Sequence, residues 1–195
     1  MKLPTILEAE KLLTEAEQRN PGVWIGHSKT TAFCARAIAE QCNNLNADTA
    51  YILGLLHDIG RREDITDMRH IIDGYQFMKS LGYDICARIC LTHSFPYKDI
   101  RSYNGQNDCT TEETEFIKSF LDSTEYDDYD RLIQLCDALA LPIGATYIEK
   151  RLVDVVIRRG FNDLTIPKWK AFLELKDYFD KKTGTDIYNL IGVSL

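Results

Sequence analysis

Leu55-Leu56-His57-Asp58-Ile59-Gly60 closes an apolar helical run with an imidazole and a carboxylate side by side. Taking both groups out of water is costly unless something compensates them, and a divalent metal ion is the usual partner for such a pair. The helix leading into the dyad spans Thr49 to Asp58, with Asp48 expected as its cap and Gly60 as its stop. Ala50, Leu53, Gly54 and His57 fall at i, i+3, i+4 and i+7, so His57 extends the buried stripe of that helix.

Outward from this segment the period stays helical, and no run alternates as a half-buried strand would. Upstream, Pro4 opens a helix to Glu17, Asn20-Pro21-Gly22 stops it, and a second helix is expected from about His27 to Cys42. Downstream, helices are expected over Arg69 to Ser80, Asp84 to Thr92, Thr111 to Leu121, Asp130 to Leu141, Thr146 to Arg159 and Pro167 to Lys182. Thr110 and Glu113 form a capping-box pattern, and Pro142, Gly160 and Gly184 act as stops. Residues 94–109 read as a polar, irregular loop, and a loop that long within a domain is usually functional or mobile. The expected fold is all-α, a bundle of about eight to ten helices in one domain, with a core over about 20–145 and a helical extension over 146–195.

Composition narrows the partners. A chain of 195 residues with 45% hydrophobic content buries a substantial core. A net charge of −7 argues against a surface for duplex nucleic acid or anionic membrane, while a local basic pocket for a small phosphorylated ligand stays open. Met1 to Glu10 carries acidic residues and no long apolar run, so neither a signal peptide nor a span is expected, and the expected location is cytoplasmic. A homodimer is an open expectation, with the tail after Leu141 as the segment that would serve an interface. The six cysteines contain no Cys-x-x-Cys pair and fit reduced core thiols. Cys86, Cys90 and His93 have helical spacing that would suit part of a zinc site, but no matching fourth ligand lies near them.

Two further faces point polar groups inward. Cys86, Ile89, Cys90 and His93 share one stripe, and Ile133, Cys136, Asp137 and Ala140 share another. An inward histidine is commonly a core residue bonded to a carbonyl, and an inward aspartate commonly caps a helix or pairs with an arginine. Several such residues on separate helices are explained together by one metal centre.

The order His27, then His57-Asp58, then Asp137 resembles the HD superfamily of metal-dependent phosphohydrolases. His-Asp-Ile-Gly after an apolar helix is its most specific segment here. His70-x-x-x-Gly74-Tyr75, followed by Leu91-Thr92-His93-Ser94, looks most like the bacterial branch that includes symmetrical dinucleoside tetraphosphatases. The resemblance implies that His27, His57, Asp58 and Asp137 hold one divalent metal, and that Asp58 bridges to a second held with His70 and His93. Iron or manganese suits this donor set, with magnesium, zinc, nickel and cobalt as other candidates. The implied reaction is hydrolysis of a nucleotide or another small phosphoester by metal-activated water.

Asp58 and Arg61 are the expected catalytic residues. Arg61 stands where many relatives carry lysine, and its guanidinium can still neutralise phosphate in bidentate fashion. Arg61, Lys98 and Arg101 are expected to contact phosphate, and Trp24, Phe95 or Tyr103 to stack on a base. The loop after His93 lacks the small, glycine-containing pattern of the tetraphosphatases. Two other readings are carried forward: a mixed-valent diiron oxygenase of the same fold, and a non-catalytic binding or signalling module.

Overall fold

The structure, a computed structural model, describes residues 2–193. Met1, Ser194 and Leu195 lie outside the described residues, so the N-terminal reading starts at Lys2 and the 146–195 extension is followed to Val193. Side-chain caps set half of the α-helix starts among the described residues. Thr5 begins α1 (Ile6–Arg19) and Thr110 begins α6 (Thr111–Ser123), each in a reciprocal capping box with a glutamate three residues on. Asp127 does the same for α7 (Asp128–Leu139), using Asp130.

The helices nearest the dyad differ in detail from expectation. Gly22 is fully extended, so α2 (Val23–Ala39) starts directly after it and His27 sits on the second turn rather than at the start. Asn46, not Asp48, caps α3 (Ala47–Leu56), its side chain accepting from the Thr49 amide at 2.8 Å. Asp48 pairs with Arg36 instead. Nor does Gly60 stop the helix. The chain leaves α3 at His57 and continues into a 3-10 turn over Ile59–Arg62.

Four further helices are α4 (Arg69–Ser80), α5 (Asp84–Thr92), α8 (Ile148–Arg159) and α9 (Thr165–Thr183), and a short α10 (Ile187–Leu190) follows. The described residues therefore hold ten α-helices. A small departure from the all-helical reading is an antiparallel ladder of β1 (Ala140–Leu141) and β2 (Gly144–Ala145). Helix α7 ends at Leu139, two residues short of the expected Leu141, because Ala140 and Leu141 are extended ahead of Pro142, and the Thr146 amide closes the turn on the Leu139 carbonyl at 2.8 Å. No helix among the described residues is long and apolar enough to cross a membrane.

One buried cluster joins Leu13, Ile38, Leu53, Leu135 and Phe179, so α9 shares the core of α1, α2, α3 and α7. Side chains of this size contribute about 1.5–3 kcal/mol each on full burial. A second cluster of Met68, Ile71, Leu91, Phe95, Ile117 and Leu121 seats α4, α5 and α6 on the loop start. The 94–109 loop is tied down rather than free: Asp108 accepts from the Asp67 and Arg69 amides at 2.7 Å each, and Gln106 accepts from the Met68 amide.

Close backbone approach fixes the geometry around the dyad. A Cβ on Gly54 would lie 2.8 Å from Ala32 Cα, so glycine lets α3 press against α2. On Gly60 a Cβ would lie 1.9 Å from the His70 carbonyl oxygen and 2.4 Å from the Gly74 amide nitrogen. The 3-10 turn is in main-chain contact with α4, and no side chain fits between them.

Gly60→Ala is therefore expected to cost about 3 kcal/mol or more, read as a lowered midpoint in urea unfolding. Asp128 gives a second test. It accepts from Tyr178 Oη at 2.6 Å, Lys182 Nζ at 2.6 Å and Asn44 Nδ2 at 2.7 Å, tying α9 to the start of α7. Burial opposes its ionisation, yet these donors outweigh that and pull its pKa down to about 2. The stabilisation is complete above the ordinary aspartate value and is lost as pH falls towards 2. Asp128→Asn should lower stability by about 1–2 kcal/mol at pH 7, with the deficit shrinking in acid denaturation near pH 2.

Candidate metal centre

Helix ends deliver the donors. His27 comes from the second turn of α2, His57 and Asp58 from the end of α3, His70 from the first turn of α4, His93 from the end of α5 and Asp137 from the last turns of α7. Their order along the chain is scattered, but their side chains meet. The His27 and His57 ring centres are 5.2 Å apart, His57 and His93 5.0 Å, and His70 and His93 5.4 Å.

Each imidazole is oriented by a main-chain carbonyl at Nδ1: His27 by Ala140 at 3.2 Å, His57 by Gly54 at 2.7 Å, His93 by Ile89 at 3.1 Å, and His70 by Asp67. A carbonyl oxygen only accepts, so the proton belongs on Nδ1 and the Nε2 lone pair points the other way. All four Nε2 atoms then face the carboxylates. His27 Nε2 lies 2.9 Å from Asp137 Oδ1, and His70 Nε2 lies 3.0 Å from Asp58 Oδ1. His93 Nε2 is 3.5 Å from Asp58 Oδ1 and 3.4 Å from His70 Nε2. His57 Nε2 stands 3.9 Å from both Asp58 Oδ2 and Asp137 Oδ1.

Lone pair facing lone pair at these separations is repulsive, and a cation turns it into attraction. His57 makes the need plain. The residue is 1% exposed, and its Nε2 has no hydrogen-bond partner among the described residues. Burial pushes its pKa down to about 4, which keeps it neutral at pH 7 and leaves that lone pair bare. Burial also leads in lowering the pKa of His70, assisted by the charge of Arg61. His27 is the exception: burial opposes its protonation, but the Asp137 carboxylate outweighs that and raises it. Burial disfavours the Asp58 carboxylate too, yet Arg61 and then His70 hold its pKa well below the usual range.

The donors fall into three overlapping groups that can each hold a metal ion: His27, His57 and Asp58; His57, His93 and Asp137; and Asp58, His70 and His93. Asp58 directs Oδ1 to His70 and His93, while Oδ2 lies on the His57 side and takes Arg61 Nε at 2.7 Å. Neutral nitrogen and carboxylate oxygen donors with a cavity beside them suit a divalent transition metal with open positions. Cys86 and Cys90 take no part, since they belong to the apolar core and Cys90 Sγ donates to the Leu56 carbonyl.

The supporting frame is a buried ion pair that the periodicity did not reveal. Asp130 is fully buried on α7 and receives Arg88 from α5, Thr92 Oγ1 at 2.8 Å and the Asp127 amide. Gln134 Nε2 donates to the Thr92 carbonyl at 3.0 Å. These bonds lock the end of α5 to α7, and with it His93 to Asp137.

A cavity of about 680 Å³ opens on the centre, lined by His27, Asp58, His93 and Asp137. Trp24, Arg61 and Tyr103 line it as well. Lys98 and Arg101 do not. Lys98 donates to the Thr124 carbonyl and lies over the Tyr126 ring, while Arg101 is clasped by Asp99 on the exposed side of a 3-10 turn. Phe95 is fully buried in the second cluster, so it offers no stacking face.

Lys168 on α9 lines the cavity and was not anticipated. A sequence signal for it exists: Leu164, Lys168, Phe172, Leu175 and Phe179 form one helical stripe, with a lysine in an apolar position. Arg151 and Arg158 of α8 also reach the cavity, although their mixed-charge helix reads equally as a solvated face.

A family model described as HD domain matches residues 24–141. No curated protein and no solved structure gives a match.

Metal analysis tests the centre directly. Protein purified without chelator should carry a divalent transition metal by mass spectrometry, and His57→Ala or Asp58→Asn should weaken its retention about tenfold or more on dialysis. Chelation should lower the melting temperature of the wild type, because metal bound only to the folded state stabilises it.

Proposed function

The chain belongs to the HD domain family, and from that premise we propose that it is a metal-dependent phosphohydrolase acting on a nucleotide or another small phosphoester. The observation that carries this reading is the convergence of four histidine Nε2 atoms on two carboxylates beside a cavity lined by cationic side chains. The donor set supports two metals, with His27, His57, Asp58 and Asp137 around one and Asp58, His70 and His93 around the other. Metals held there would supply Lewis acidity towards phosphoryl oxygens and bring the pKa of a bound water towards neutrality.

The protein's own residues divide the remaining work. Asp58 presents one oxygen to each half of the donor set, so it fixes the spacing of the two halves. Arg61, held on Asp58 by Nε and on the Thr66 carbonyl by Nη1 at 3.3 Å, keeps its charge at the cavity wall, where it can neutralise a phosphoryl group. The main-chain carbonyls at the four Nδ1 atoms orient every ring so that its Nε2 faces the carboxylates, and in the neutral rings they leave that Nε2 lone pair free. Trp24 and Tyr103 supply flat faces on the wall, which favours a substrate with an aromatic base. The run from His70 to Tyr75 and the Leu91-to-Ser94 segment favour placing the chain nearest the dinucleoside tetraphosphatase branch.

Enzyme loaded with manganese or iron should release phosphate or cleaved nucleotide from a panel of nucleotides and dinucleoside polyphosphates, and His57→Ala should lose at least about a hundredfold in kcat/KM. Equal turnover by wild type and His57→Ala on every active substrate would sink the proposal. So would oxygen consumption by the iron-loaded protein with no hydrolysis of any phosphoester.

A further inference from the structure

Lys168 is 5% exposed, and its ammonium makes a single hydrogen bond among the described residues, to the Ser102 carbonyl at 2.9 Å. Among the described residues, no carboxylate lies within ion-pair distance of it. Phe172 flanks it on the same helix, with Nζ 5.9 Å from the ring centre. A buried ammonium without a counter-ion is costly, because neither the carbonyl nor the ring supplies a negative charge. Burial accordingly pulls its pKa down to about 8.

The cost is localised at a cavity wall. Lys168 lines the same space as His93 and Asp137, and Arg151 and Arg158 of α8 line it too. Those two arginines share one carboxylate, Asp154, at 3.3 Å and 2.9 Å. The lining from α8 and α9 therefore sets Arg151, Arg158, Arg159 and Lys168 against Asp154 alone, with Arg159 paired to Asp67 from outside these helices. Asp137 alone tempers Lys168 through space, and Asp137 is already engaged by His27.

We propose that Lys168 is the anchor for a second phosphate group of the substrate, so that the preferred substrates carry at least two phosphates. One would lie at the histidine and aspartate centre and the other on the Lys168 wall. The proposal rests on the phosphohydrolase reading and adds a specificity-determining residue to it. It explains why a lysine occupies an apolar stripe: a substrate phosphate supplies the missing counter-charge and accepts the two N–H bonds that Ser102 leaves unused.

Calorimetric titration with inorganic phosphate and with pyrophosphate, on metal-loaded protein whose metal content is checked afterwards, separates the outcomes. Lys168→Met removes the charge, Lys168→Gln keeps a donor for the Ser102 carbonyl, and Lys118→Met on exposed α6 serves as control. The expected result is pyrophosphate binding weakened about tenfold or more by either Lys168 substitution, with phosphate binding changed less than about twofold and the control unchanged. Melting temperature at pH 7 should hold or rise in Lys168→Gln. Unchanged pyrophosphate affinity with a lowered melting temperature would overturn the anchor and make Lys168 a strut for the loop. Failure of the metal-loaded wild type to bind either anion would overturn the phosphohydrolase reading, and the anchor with it.

Discussion

Six acceptor-bearing side chains are forced together in the interior of an apolar bundle, and their mutual repulsion is the constraint around which the molecule is organised. Apolar burial alone would drive them apart, because each loses water and gains a like-polarity neighbour. They stay together because close main-chain contacts at Gly54 on α2 and Gly60 on α4, and the side-chain pair of buried Asp130 with Arg88 between α5 and α7, hold their helices. Packing holds the frame, and the frame holds the donors in place. A cation bound there would convert this unfavourable spot in the core into a cohesive one.

Much of this was legible in the sequence because a helix displays its buried face as a period. The stripe ending at His57, the stripe ending at His93 and the inward position of Asp137 are all read from spacing, and those residues do meet. Boundaries were less legible, since capping depends on which of several candidate side chains reaches the amide. Asn46 wins over Asp48 because Asp48 is drawn to Arg36, a partner twelve residues upstream. The same limit applies to Gly60. Its role is to admit the His70 carbonyl, a contact between segments that no local pattern encodes.

Charged loop residues are less legible for a related reason. Lys98 and Arg101 sit in a polar segment that does border the cavity through Tyr103 and Asn104, yet each finds a nearer oxygen, from Thr124 and from Asp99. Lys168 is the reverse case. It lies outside the segment that carries the family pattern, on a helix whose periodicity reads as core, and only the packing of α9 across the cavity brings it near the donors. The family segment supplies the chemistry of the centre, while α8 and α9 add Arg151, Arg158 and Lys168 to the cavity wall.

The four carbonyls that orient the imidazoles belong to the main chain at Ala140, Gly54, Asp67 and Ile89. Many metal sites orient their histidines with aspartate or glutamate side chains, which a single codon change can delete. Here the orienting groups survive any substitution that preserves the backbone, so the tautomers are inherited with the fold itself. Drift in the surrounding sequence can remodel the cavity wall, and hence the choice of substrate, without loosening the grip on the donors. The architecture separates what must stay constant from what is free to diversify.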